Sequence, residues 1–389
     1  MEQSKRLVAL DVFRGITIAG MILVNTPGTW EYVYPPLRHA PWHGSTPTDW
    51  VFPFFLFIVG VAIPLALGRR IEEGADRQRL MLKIFKRTLI IFGVGLLLNS
   101  FSVSNGYLQF KLATLRIPGV LQRIALVYFF CSLIFVYAKS WRRQLWIGAG
   151  LLLLYWALMA LVPVPWADGS LAGNFDMLTN LGTWLDRMIL GESHMYHGEQ
   201  VNGQAVAFDP EGILSTIPAI ATGLSGVLTG LWIKSSRSDF EKLTGMFAVG
   251  TILLALGLVW DLSFPINKKI WTSSYVLYMA GVALLSLGLV YWLVDVRQNK
   301  WWTKPFVVYG TNALFAYFMS SFVVKLLLFP LATDAAGNKR NIYGSIYYTV
   351  FEPLFASAYN ASLAFAITFV LFILGLTWIL YWRKIFIKA

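Results

Sequence analysis

The stretch "LRHAPWHGSTPTDW" (37–50) holds two of the four histidines of the chain within one short polar loop. Imidazole exchanges protons near neutral pH, so a constrained histidine at the mouth of a cavity suits a general base. His39 follows Pro35-Pro36, which stiffens its approach, and precedes Trp42, an interfacial anchor; His43 lies beside Gly44 and Ser45, a turn pattern. Thr46-Pro47-Thr48-Asp49 reads as a helix start, with Thr46 as N-cap, Pro47 in the first turn and Asp49 closing a capping box. A cap is the plainer reading of Asp49, and it is compatible with a role beside a histidine. Asp209-Pro210-Glu211 is expected to open a later helix in the same way.

Ionisable groups within apolar segments are costly and mark cavities or pathways. Asp11 and Arg14 are one turn apart, so they can pair on one helix face. Asn25 is eleven residues beyond Arg14, or about 16 Å along a helix axis at 1.5 Å per residue. Arg123 falls inside a hydrophobic run and needs a partner, an aqueous cavity or an anionic ligand. Lys325 reads as a side chain that snorkels to the membrane surface. Together these groups outline a passage from one face of a helix bundle to the other, with His39 at its outer mouth.

The elements that must position them are set by composition. Of 389 residues 57% are hydrophobic and 13% charged, where a soluble domain carries roughly 25% charged residues. Ten stretches reach or approach membrane-spanning length: 15–30, 50–67, 88–110, 117–138, 145–165, 211–233, 243–262, 270–294, 305–329 and 353–382. Lipid leaves backbone N–H and C=O groups no partners outside the segment, so each is expected to be helical. With the N-terminus inside, 22 of the 32 Lys and Arg residues fall in inner segments and 8 in outer ones, which orients the chain with both termini cytoplasmic. The expected fold is therefore all-α and polytopic, with about ten transmembrane helices. It forms one integral domain over 1–389 and carries a folded outside cap over 166–209, including a short helix at 183–190. No internal repeat is evident.

The net charge of +12 is explained by this topology and by contact with anionic membrane lipids, not by nucleic acid. A single cysteine, Cys131, excludes an intrachain disulfide and a thiolate metal site, and no metal is expected. The first apolar run lacks a small-x-small cleavage site and reads as a retained helix.

Six stretches resemble the heparan-α-glucosaminide N-acetyltransferase family of transmembrane acyltransferases. They are "RLVALDVFRGITIAGMILVN" (6–25), "RHAPWHGSTPTDWVFPFFLFIVGVAI" (38–63), "LRIPGVLQRIALVYFF" (115–130), "AFDPEGILSTIPAI" (207–220), "PINKKIWTSSYVL" (265–277) and "YWRKIFIKA" (381–389). The resemblance implies acetyl transfer from acetyl-CoA, across the bilayer, to a glucosamine-like amino sugar on the non-cytoplasmic side. It also implies a bacterial-type homologue in a cytoplasmic (inner) membrane, without the extra N-terminal domain of the lysosomal enzyme, and by analogy a homodimer. His39 falls on the family's active-site histidine and Asn25 on its neighbouring asparagine. Contacts to the coenzyme are expected from Arg14, Arg116, Arg123, Asn267, Lys268, Trp271 and Ser274. Contacts to the acceptor are expected from Asp49, His194, Asp209 and Glu211. The segment 191–206 departs from the family pattern, which leaves the acceptor open.

Two routes fit these residues. His39 takes the proton from an attacking amine while Asn25 steadies the thioester oxygen, or His39 itself accepts the acetyl group and passes it on. The alternative from another class is a transporter or flippase of a glycoconjugate, which would break helices at sites such as Pro64 or Pro118-Gly119 without any acyl transfer.

Overall fold

The computed structural model describes residues 7–104, 107–166, 169–333 and 339–387; the basic residues Lys5, Arg6 and Lys388 counted for orientation lie outside them. Among the described residues there are thirteen α-helices: α1 (Val8–Asn25), α2 (Pro47–Glu72), α3 (Arg77–Ser100), α4 (Val120–Tyr137), α5 (Trp141–Leu161), α6 (Leu181–Leu190), α7 (Thr216–Lys234), α8 (Asp239–Asp261), α9 (Ser273–Tyr291), α10 (Lys304–Thr311), α11 (Ala313–Leu327), α12 (Ile342–Ile346) and α13 (Ala358–Trp382); all but α6 and α12 fall on the apolar segments. Among the described residues eight are long and apolar enough to span a membrane, or nine if α10 and α11, bent by 85°, are one broken span. The tenth expected span, 88–110, divides differently. Its helix begins at Arg77, so basic residues fill the first half of α3, and 101–110 leave the helix for a hairpin pairing Phe101–Ser104 with Tyr107–Phe110. The alternation of Phe101 and Val103 with Ser102 and Ser104 is a strand period that an apolar count overlooks.

Small residues let the central helices touch. Gly60 on α2 meets α7 so closely that a Cβ there would lie 1.9 Å from the Gly223 carbonyl oxygen, and one at Gly226 would lie 2.0 Å from that of Phe57. Without a hydrophobic force between helices in lipid, such close backbone packing is a principal source of association. Buried positions make up 72% of the apolar window of α7 but only 22% in α5 and in α8, so α7 is a central helix while α5 and α8 turn most of their surface outward. Pro53 and Pro64 do not interrupt α2, and Pro118-Gly119 precede α4, so neither site that the transporter alternative would use breaks a helix. The break instead falls at Asn312, where the buried side chain donates to the Ile385 carbonyl (3.1 Å) and accepts from Ile387 N–H (2.9 Å).

The cap between α5 and α7 contains α6 and two hairpins, Val164–Trp166 with Gly169–Leu171 and Glu199–Val201 with Gln204–Val206. The helix expected at 183–190 is α6, opened by Asn180, whose side chain accepts from Thr183 N–H. Phe208, Leu214 and Leu181 pack with Tyr155, Phe264 and Ile270, so the cap shares one core with the loop before α9. Lys325 differs from its expected snorkelling position. Its ammonium donates to the carbonyls of Leu98 and Phe101, satisfying the end of α3 from α11.

Candidate active site

The loop before α2 and the first turn of α2 bring His39 onto Asp49. Thr46 and Asp49 form the expected capping box, with Asp49 Oδ2 accepting from the N–H groups of Thr46 and Ala40, each at 3.0 Å. The other oxygen, Oδ1, lies 2.6 Å from His39 Nδ1. With Nδ1 donating to this carboxylate, Nε2 is left as the lone-pair nitrogen, which is the form a base requires. Asp49 is 1% exposed, whereas the His39 side chain is 37% exposed, so the histidine is the member of the pair that meets solvent or ligand. Tyr275 on α9 donates to the Asp49 carbonyl at 2.5 Å and fixes the turn from behind.

His39 lines a cavity of about 710 Å³ that runs between α1, α2, α3, α4 and α11, within the range of small-molecule sites. Arg14 and Asn25 both line it, so it extends at least about 16 Å along α1. One end carries Asp11, Arg14 and Arg87; the other carries His39, Asn25, Glu211 and Lys268. Arg14 Nη1 lies 3.4 Å from Asp11 Oδ1 and donates to the Gly310 carbonyl at 3.0 Å. Asn25, at the last residue of α1, has no side-chain hydrogen-bond partner among the described residues, and its amide is open to a ligand.

Glu211 joins the cavity to a buried ion cluster. Arg116 donates to Asp209 through Nε (2.8 Å) and Nη2 (2.7 Å), and Nη2 also reaches Glu211 Oε2 at 2.6 Å. The guanidinium lies over the Tyr196 ring of the cap. Burial works to raise the Glu211 carboxyl, but Arg116, Arg123 and Lys268 outweigh it and hold it below the usual carboxylate range. These partners also change the local fold. Helix α7 begins at Thr216, not at Glu211, because side chains from elsewhere hold the intervening turn. Arg123 donates to the Gly212 carbonyl at 2.9 Å and to the Ser215 hydroxyl, and Asp186 accepts from Ile213 N–H at 2.8 Å.

Several residues expected to touch ligand lie behind the cavity wall. Arg123 is buried over the Trp271 ring and does not line the cavity. The buried Asn267 accepts from Lys269 N–H and Ile270 N–H and bridges to Gly44. Trp271, at φ +53°, donates from its indole to Thr222 Oγ1, and Ser274 donates to the Phe264 carbonyl. His194 Nδ1 donates to the Leu115 carbonyl and pins the cap to the approach of α4. From the 265–277 stretch Lys268 is the residue that reaches the cavity. Burial lowers its pKa, opposed by the charges of Glu211 and Asp49.

Sequence reasoning passed over Arg87, counted there only as a topology charge, and Tyr317 on α11; both line the cavity. An arginine at the start of the apolar half of α3 was the available signal for the first. Nothing in the spacing marks the second.

A membrane protein whose internal cavity ends on a histidine–carboxylate pair is thereby defined. The family model described as "Heparan-alpha-glucosaminide N-acetyltransferase, catalytic" matches residues 6–177, which include α1 to α5, His39, Asn25 and Asp49. It is also similar to heparan-alpha-glucosaminide N-acetyltransferase of Homo sapiens, 32% identical over 317 residues, covering 71% of this chain and 47% of the human protein. The Mus musculus protein of the same name is 29% identical over 318 residues, with the same coverage. The chain spans about half the length of these curated relatives.

Proposed function

We propose that the chain is a transmembrane N-acetyltransferase that moves an acetyl group from acetyl-CoA to the amine of an amino sugar. The observation that carries this reading is the His39–Asp49 pair at the end of a cavity whose far end holds Arg14 and Arg87. Those arginines suit the phosphates of the donor, and the cavity length suits an extended acyl arm. By the excess of Lys and Arg in the segments at that end, it faces the cytoplasm and the cap faces outward.

Asp49 holds His39 in one tautomer and Nε2 takes the proton of the attacking amine. The Asn25 amide donates to the thioester oxygen as it gains charge. The Arg116 cluster joins the cap to the approach of α4 and keeps Glu211 ionised at the acceptor end. The test uses proteoliposomes with acetyl-CoA and glucosamine on opposite sides of the membrane. Free thiol on the donor side and N-acetylglucosamine on the other are expected. Donor consumption only when both substrates share one side would contradict transfer across the bilayer.

One observation favours the transporter reading: the 85° break between α10 and α11, since broken helices mark transport sites. A transporter would move its solute without releasing thiol from acetyl-CoA.

A further inference from the structure

Lys268 is the cation at the His39 end of the cavity, and among the described residues its ammonium has neither a hydrogen-bond acceptor nor an ion-pair partner. Its neighbour Lys269 is paired with Glu199 at 2.6 Å, so the loop separates two adjacent lysines, one tied to the cap and one facing the cavity. The backbone around Lys268 is fixed to the histidine loop. Gly44 N–H donates to the Ile266 carbonyl at 2.7 Å, and Gly44 bridges to Asn267. Asn267 Oδ1 holds the next turn through Lys269 N–H and Ile270 N–H. Asn267, Trp271 and Ser274 are thus the scaffold, and Lys268 is what it presents. The charge interacts with both Asp49, the partner of His39, and Glu211, which places it at the reacting end.

We propose that Lys268 supplies the positive charge that stabilises the oxyanion formed on the donor's acetyl carbonyl. This rests on the acetyl-transfer reading. In the step, the amine nitrogen attacks the thioester carbon, a C–N bond forms, and the carbonyl π pair moves to oxygen beside Lys268. The amine proton passes to His39 Nε2. When the oxygen pair returns, the C–S bond breaks and the coenzyme leaves as thiolate, taking the proton from the imidazolium. A fixed ammonium in a site poor in water does more for such charge than a solvated one. It has no standing partner to give up.

Lys268→Met and Lys268→Arg test this by thiol release from acetyl-CoA with glucosamine as acceptor. Lys268 is half-buried and among the described residues makes no side-chain hydrogen bond or ion pair, so the thermal midpoint of Lys268→Met is expected close to wild type. Its kcat is expected to fall about 10²–10³-fold with both KM values nearly unchanged, and Lys268→Arg to recover part of the loss. Wild-type kcat in Lys268→Met, or a raised acceptor KM at unchanged kcat, would overturn the assignment. So would a stable acetyl adduct on Lys268, which would make it a nucleophile. Absence of thiol release from the wild-type protein would instead overturn the acetyl-transfer reading and this assignment with it.

Discussion

Asp49 divides its two oxygens between His39 and the start of α2: Oδ1 meets Nδ1 at 2.6 Å while Oδ2 accepts from the Thr46 and Ala40 N–H groups. The helix cap and the orientation of the base are therefore one device. Asp49→Asn is expected to lower kcat by about 10²–10⁴-fold through loss of the imidazole tautomer. Asp49→Ala is expected to cost about 0.5–2 kcal/mol of stability in addition, through the lost cap. Steady-state kinetics beside thermal unfolding in detergent separates the two effects.

Arg116 neutralises two buried carboxylates, Asp209 and Glu211. Arg116→Gln leaves both without their cation, a loss of about 3–5 kcal/mol by the usual penalty for breaking a buried pair. Faster proteolysis of the cap and a lower melting point are expected. An unchanged melting point would show that the cluster does not hold the cap.

Asp186 gives stability a pH dependence. Burial raises its carboxyl from 3.8 to about 7 in the folded protein. Between those values the folded state binds the proton that the unfolded state has released. Its contribution is thus fully present below about pH 4 and is lost as pH rises through about 7. Asp186→Asn keeps the acceptor for Ile213 N–H and should flatten the fall in melting temperature between about pH 4 and pH 7, the interval between the unfolded and folded pKa values.

At Gly60 a Cβ would lie 1.9 Å from the Gly223 carbonyl oxygen. Gly60→Ala must push α2 from α7 and is expected to destabilise by about 1–3 kcal/mol or more, as overpacking does. Gly93, whose Cβ would meet nothing within 4 Å, is the control position: Gly93→Ala should leave the melting point unchanged or raise it.

Much of this could be read from residue order, and the rest failed for definable reasons. Apolar runs announce helices because lipid permits little else, and the capping box is local, so α2 and its Asp49 were accessible. The Asp209 and Glu211 pairing was not, because the helix-start pattern carries no information about an arginine 93 residues earlier. Arg123, Asn267, Trp271 and Ser274 show polarity without direction; only packing reveals that they face the protein and Lys268 faces the cavity. The hairpin at 101–110 was hidden by its apolar content, which a hydropathy count assigns to helix.

The claim that His39 is the base is tested most directly by the His39→Ala variant. Thiol release from acetyl-CoA is measured with saturating glucosamine, beside equilibrium binding of coenzyme A. The account predicts a loss of kcat of about 10²-fold or more, with coenzyme binding close to wild type because the arginines proposed to hold it, Arg14 and Arg87, lie at the far end of the cavity. Turnover near the wild-type rate in His39→Ala would contradict it.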